Sequence, residues 1–165
     1  MGNDAKRFTV IGAGHGGKAM AAHLALMGFE TVLFNRTAER IAAIRVRGGI
    51  DLVMGGRESS GFGRLRGVTA DYAEALADAE VVMVVTPSTA HREVAEACAP
   101  HLQDGQIVVL NPGRTGGAIE FAKALRDCEC RADVTVSEAA TLIYASRSEG
   151  PAQARIFRVK EAVPL

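Results

Sequence analysis

The chain has no excess of charge of either sign. Nineteen Lys and Arg balance nineteen Asp and Glu, with no block of like charge. That removes the electrostatic footprint of a nucleic-acid or membrane-surface binder and leaves small molecules as the expected partners. Cysteine is scarce: Cys98, Cys128 and Cys130 form an odd set without the C-x-x-C spacing of a zinc or thioredoxin-like site. Reduced thiols and no metal are expected. No apolar run approaches membrane-spanning length. Lys6 and Arg7 precede a short strand and a glycine loop rather than the apolar core of a signal peptide, so a cytoplasmic location is expected. Repeats, low-complexity tracts and linkers are missing too. With 165 residues, 48% of them apolar, the chain is expected to form one compact domain spanning residues 1–165.

The stretch from Phe8 to Gly17 organises the rest. Phe8, Val10 and Ile11 read as the end of a buried strand, and Gly12, Gly14 and Gly17 follow in G-x-G-x-x-G spacing. Lys18 to Met27 reads as a helix, with Met20, Leu24 and Met27 at helical spacing and alanines between them, closed by Gly28. Between a strand and a helix the glycine spacing has a mechanism. Gly12 permits the tight turn, Gly14 lets backbone N–H groups approach a pyrophosphate, and Gly17 lets helix and strand pack closely. Gly12, Gly14, His15, Gly16 and Gly17 are therefore the candidate phosphate-binding loop, at the N-terminus of a helix.

Glu30 to Phe34 is the second strand of a βαβ unit, and its tip at Asn35-Arg36-Thr37 is where the adenosine ribose would lie. An acidic residue there selects NAD. This chain has a neutral amide, a guanidinium and a hydroxyl instead, a set able to bind a 2′-phosphate and so to prefer NADP. The alternative is that Arg36 is solvated, or stacks on adenine without choosing a cofactor. Thr37 is expected to cap a helix over 38–46. Residues 50–66 read as a glycine-rich hairpin excursion with turns at Gly55-Gly56 and Gly61-Phe62-Gly63, and Val68-Thr69 as the tip of a third parallel strand before a helix at 71–77.

Val81 to Val85 is apolar throughout, as in a strand buried on both faces, and should lie beside the first strand. Its carboxyl end, Thr86-Pro87-Ser88, should approach the cofactor's nicotinamide-side ribose, unless these residues only shape a turn and cap the helix at 90–98. Ile107 to Leu110 is a fifth strand, ending in Asn111-Pro112-Gly113 and a second polar, glycine-rich turn at the same sheet edge. A helix follows over 118–126, with Ile119, Phe121, Ala122 and Leu125 expected to face inward. Residues 134–136 form a sixth strand, and 141–145 and 154–159 two more around Gly150-Pro151. The fold class is α/β: a doubly wound, mostly parallel sheet of the Rossmann kind, with the hairpin excursion and extra C-terminal strands.

Four stretches resemble the opine dehydrogenases of the octopine and nopaline type: Ile11 to Gly17, the Thr86-Pro87-Ser88 turn, the N-P-G-R-T-G-G-A-I-E-F run from Asn111 to Phe121, and Glu138 through Tyr144 to Glu149. Phe34 to Thr37 also resembles the 2′-phosphate turn of 6-phosphogluconate dehydrogenases. The opine resemblance implies an oxidoreductase that condenses an amino acid with a 2-oxo acid by hydride transfer from NADP(H), or NAD(H), to an imine. It further implies a helical domain that carries the catalytic His and Asp and would begin where this chain ends. No catalytic residue is then expected here. His23, His91 and His101 are expected as exposed or cofactor-edge residues, while His15 stands near the phosphates where family members more often have Asn. Glu138 and Arg147 would line the substrate side, or form a surface ion pair. The missing helical domain or a partner chain, in a homodimer for instance, would complete the cleft. The competing reading is a stand-alone, non-catalytic NADP-binding or sensing module.

Overall fold

A computed structural model describes residues 6–55 and 60–165; Gly56, read above as part of a turn, lies outside them. The first strand, β1 (Arg7–Ile11), leads through the glycine loop into α1 (His15–Leu26), and β2 (Glu30–Phe34) lies parallel to β1. A 3₁₀ turn (Ala38–Ile41) and α2 (Ala42–Arg47) follow, then the antiparallel pair β3 (Gly49–Met54) and β4 (Gly61–Arg64). The chain returns to the main sheet with β5 (Gly67–Thr69), α3 (Tyr72–Leu76) and β6 (Val81–Val84). A 3₁₀ turn (Ser88–Ala90), α4 (His91–Cys98), β7 (Ile107–Leu110), α5 (Gly117–Asp127) and β8 (Thr135–Glu138) complete the winding.

The six-stranded sheet has the order β5-β2-β1-β6-β7-β8, all parallel. The order reverses between β1 and β6, and ligands bind at such a switch point, outside the carboxyl ends of the strands. One face packs on α1 and α2 through Val10, Leu33, Ile41 and Ile44. The other packs on α3, α4 and α5 through Phe34, Val84, Val94, Leu110 and Phe121. Alternate residues of one strand feed the two cores: Val10 and Ile11 in β1, Leu33 and Phe34 in β2.

The excursion and the C-terminal strands, which sequence treats as separate additions, form one second sheet. Strands β9 (Tyr144–Gly150) and β10 (Gln153–Val159) are an antiparallel hairpin, and β10 runs parallel to β3, giving the order β4-β3-β10-β9. Ile50, Leu52, Ala154 and Ile156 face α1, so the helix lies between two sheets. This explains its composition. Ala19, Met20, Ala21 and Ala22 are all at most 1% exposed, and a helix apolar on every side is one buried on every side. Gly63 permits the closest approach, since a Cβ there would stand 2.5 Å from the Ala22 carbonyl oxygen.

Several boundaries and orientations depart from expectation. The eighth strand reaches Glu138, and the next begins at Tyr144 rather than Thr141. Ile119 faces solvent at 74% exposure, while Phe121 is fully buried and Ala124, not singled out above, lies beside it in the core. Thr37 occupies the N-cap position of its 3₁₀ turn but its side chain makes no capping bond. Asp71 does cap α3, accepting from the Ala73 and Glu74 N–H groups. Among the described residues no helix is long and apolar enough to cross a membrane.

Candidate cofactor site

The glycine loop is held at the switch point by backbone bonds on both sides. The Gly12 N–H donates to the Phe34 carbonyl, and Val85 N–H to the Ile11 carbonyl. Gly12 has φ +108°, and a Cβ on it would meet the Val85 carbonyl oxygen at 2.5 Å. At Gly17 a Cβ would stand 1.7 Å from the Gly12 carbonyl oxygen, so helix and strand approach as only glycine allows. Gly14 is the opposite case. A Cβ there meets nothing within 4 Å, so this residue leaves open space in front of the first turn of α1. In folds of this kind the space in front of such a helix N-terminus, with its free N–H groups, is where a pyrophosphate is held.

The second sheet is fastened to this loop. Ser148 N–H donates to His15 Nδ1 at 2.8 Å, and the Ser146 hydroxyl to the His15 carbonyl at 3.4 Å. With Nδ1 accepting, the neutral ring carries its proton on Nε2. Lys18, only 7% exposed, donates to the Ser148 hydroxyl (3.1 Å) and the Gly150 carbonyl (3.0 Å). Burial, followed by the charge of Arg40, holds its amine below the usual lysine range. Gly16 packs beneath Leu142.

Next to the loop, Ile11, Gly12, Phe34, Asn35, Arg36, Tyr72, Thr86 and Pro87 line a cavity of ≈ 140 Å³ together with Ala90, Glu93 and Val94 of the segment that follows. The Phe34 and Tyr72 rings lie 4.0 Å apart between centroids. Burial, then the charges of Cys98 and Glu93, pushes the Tyr72 phenol up to about 12, against the opposing charge of Arg36. The Thr86 hydroxyl oxygen is buried and has no partner among the described residues, a polar atom left for a ligand to satisfy. The Asn35 amide is otherwise engaged. It accepts from Ala13 N–H (3.1 Å) and donates to the Thr37 carbonyl (3.1 Å), bracing the loop. Arg36 is paired with Glu93, Thr37 is exposed, and Pro87 and Ser88 are exposed at the rim.

The second polar turn is built differently. Asn111 is 5% exposed and its amide donates to the Val109 carbonyl. Pro112 is half-buried, and Gly113 packs so tightly that a Cβ would stand 2.2 Å from Glu138 Cβ. Glu138 accepts from the N–H groups of Gly116 (3.2 Å) and Ala118 (2.7 Å), closing the start of α5. Its partners are these amides and not Arg147, which is exposed on β9. Of the two readings given above, the alternative of a surface ion pair does not hold: Glu138 caps a helix instead.

Of the histidines, His91 departs most from expectation. It is 1% exposed rather than superficial, and its Nε2 lacks a partner among the described residues. Burial pushes its imidazole below the ordinary value of 6.5, opposed by a backbone bond to Thr86 and the charge of Glu138. The fold therefore favours the neutral ring. Stability from this residue is complete above pH 6.5 and is lost as pH falls from there to the lower native value. Urea midpoints should drop over that interval in the wild type and stay flatter in His91→Asn; equal slopes would exclude His91 as the cause. His23 is half-buried beside Tyr144, its Nδ1 3.0 Å from the phenol oxygen.

With this geometry in hand, residues 7–123 match the family described as NAD-dependent glycerol-3-phosphate dehydrogenase N-terminus. The chain belongs to that family. It is 36% identical over 160 residues to an opine dehydrogenase from Arthrobacter sp. (strain 1C), covering 97% of this chain and 44% of that protein. Its fold matches an octopine dehydrogenase structure in complex with NADH and agmatine (TM-score 0.84, 21% identity, 96% of this chain and 41% of that one). It also matches a yersinopine dehydrogenase with NADP+ bound (TM-score 0.79, 16% identity, 96% and 40%). The chain is thus an NAD(P)-binding Rossmann domain, similar over nearly all of its length to opine dehydrogenases and spanning less than half the length of these relatives.

Sequence reasoning missed Tyr72, Glu93, Ser148 and Lys18. An aromatic right after the third strand's tip pointed to Tyr72, and a helix starting directly behind Thr86-Pro87-Ser88 pointed to Glu93. Nothing local pairs Lys18 or His15 with Ser148, because that contact depends on the second sheet.

Proposed function

We propose that this domain binds NADP(H) in preference to NAD(H) and serves an oxidoreductase that condenses an amino acid with a 2-oxo acid. The observation that carries the cofactor reading is Arg36 at the tip of β2, lining the cavity beside the glycine loop in the place where the ribose 2′ position falls in this fold. The Arg36 guanidinium and Thr37 hydroxyl would bind the 2′-phosphate, the loop from Gly12 to Gly17 and the His15 Nε2–H the pyrophosphate, and the Thr86 hydroxyl the far half of the cofactor. When bound, the cofactor supplies a hydride. Asn35 and the Asn111-Pro112-Gly113 turn would shape the site from behind, Asn35 through its bond to the loop and the turn through bonds from Asn111 N–H to the Val84 carbonyl and from Gly113 N–H to the Ala139 carbonyl. Glu138, fixed by Gly116 and Ala118, would present the substrate-side edge of the sheet, with Arg147 on the neighbouring hairpin. The NADH and NADP+ bound to the similar octopine and yersinopine dehydrogenase folds support a nicotinamide cofactor of either kind, so the choice between them rests on Arg36; the opine dehydrogenase relative supports the reaction.

Titrating NADPH and NADH against the intact protein tests the first part. In Arg36→Ala the NADPH affinity should fall about tenfold, the scale of one charge-assisted pair, with NADH affected much less. An unchanged ratio would remove the NADP preference. The second part is tested by following NADPH oxidation, with pairs of amino acids and 2-oxo acids, by this domain together with the helical domain or partner chain that completes its cleft; no turnover with any pair, beside intact cofactor binding, would favour the non-catalytic module. A helical domain or partner chain would close the cleft, and a cytoplasmic location, where NADPH is kept reduced, suits this role.

A further inference from the structure

The tip of β2 has no carboxylate in sequence, yet the fold brings one to it. Glu93, 57 positions beyond Arg36 and on the first turn of α4, accepts from the Arg36 guanidinium across the mouth of the cavity. Arg36 and Glu93 are the only charged residues that line this cavity among the described residues, and Tyr72 in its wall feels both charges. The adenosine end of the site therefore carries a net charge of about zero rather than the +1 that Arg36 alone would supply.

We propose that Glu93 determines the cofactor preference of this chain by holding Arg36. This rests on the reading of Arg36 as the 2′-phosphate ligand. A 2′-phosphate needs the donors that Glu93 occupies, and its own charge is repelled by the carboxylate beside it. A free ribose hydroxyl meets neither obstacle, because it can donate to a carboxylate as it does to an acidic residue at a strand tip. Glu93 thus weakens from α4, without reversing, the preference for a 2′-phosphate that Arg36 gives at the tip of β2. The pair keeps NADH usable in a site whose strand tip by itself favours NADPH.

Glu93 is exposed, so Glu93→Gln keeps the shape of the side chain and the fold while removing the charge. NADPH and NADH dissociation constants are measured by cofactor fluorescence in the intact wild type, Glu93→Gln, Arg36→Ala and the double variant. The NADPH:NADH affinity ratio should rise about fivefold in Glu93→Gln, the upper range for releasing an exposed ion pair. In the Arg36→Ala background the same substitution should raise it by less than half as much. A ratio unmoved by Glu93→Gln, while Arg36→Ala lowers it, removes the role of Glu93 and leaves the reading of Arg36 standing. If Arg36→Ala leaves the ratio unmoved, the NADP reading falls and this proposal with it. A full rise without Arg36 would mean that Glu93 acts on the ribose directly, and the proposed hold on Arg36 would be overturned.

Discussion

Gly17→Ala should cost about 3 kcal/mol of stability and abolish measurable cofactor binding, whereas Gly14→Ala should leave stability within about 0.5 kcal/mol and lose affinity alone. The difference lies in what a single methyl group meets. At Gly17 it would stand 1.7 Å from the Gly12 carbonyl oxygen, and backbone cannot rotate aside as a side chain can. The first turn of α1 would have to lift off β1, carrying His15 and its bonds to β9 with it. At Gly14 the backbone is extended, with φ −78°, and the methyl meets no protein atom within 4 Å. Its only effect is to fill the space in front of the helix N-terminus, and an affinity loss of about tenfold is expected if a pyrophosphate uses that space. Urea midpoints and NADPH titrations separate the two. Unchanged cofactor affinity in Gly14→Ala would show that the phosphates lie elsewhere.

The second large effect is expected on α5. Phe121→Ala should destabilise the protein by about 3–5 kcal/mol, the range for emptying a buried aromatic site, while Ile119→Ser should shift it by no more than about 0.5 kcal/mol. Phe121 is fully buried among the side chains that join α4 and α5 to the sheet, and no neighbour is free to fill the void. Ile119, two residues earlier, lies on the opposite side of the helix at 74% exposure. Two residues advance a helix by about 200°. Both therefore cannot face the sheet, and matched denaturation curves for the two variants check the assignment. A loss of several kcal/mol in Ile119→Ser would mean that another surface covers it.

The turns at the carboxyl edge of the main sheet were legible for local reasons. Gly12, Gly14 and Gly17 are required within a span of six residues, and their spacing, between an apolar run and an alanine-rich helix, implies both the turn and its ligand class. The order of β2, β1 and β6 also follows from short-range pattern, since a run as apolar as Val81 to Val85 needs cover on both faces and a central place. The contributions of Asn35, Glu138 and His91 were not legible. Asn35, read as a phosphate donor, also braces the glycine loop, Glu138, read as a substrate-side carboxylate, also caps α5, and a histidine at a helix start is buried. Each depends on a partner 20 or more residues away or on packing from another element, and residue type alone does not specify such a partner.

The sequence by itself determined the winding of the main sheet, the glycine loop and the guanidinium at the tip of β2, because strand period, helix period and glycine spacing act over a few residues. Only the tertiary structure decided that the excursion and the C-terminal hairpin join into a second sheet, that this sheet clasps His15 and Lys18, and that Glu93 faces Arg36. Those contacts join segments separated by 57 to more than 130 positions. Their geometry is set by how α1 packs between two sheets and how α4 lies against one of them, and neither arrangement has a local pattern to announce it.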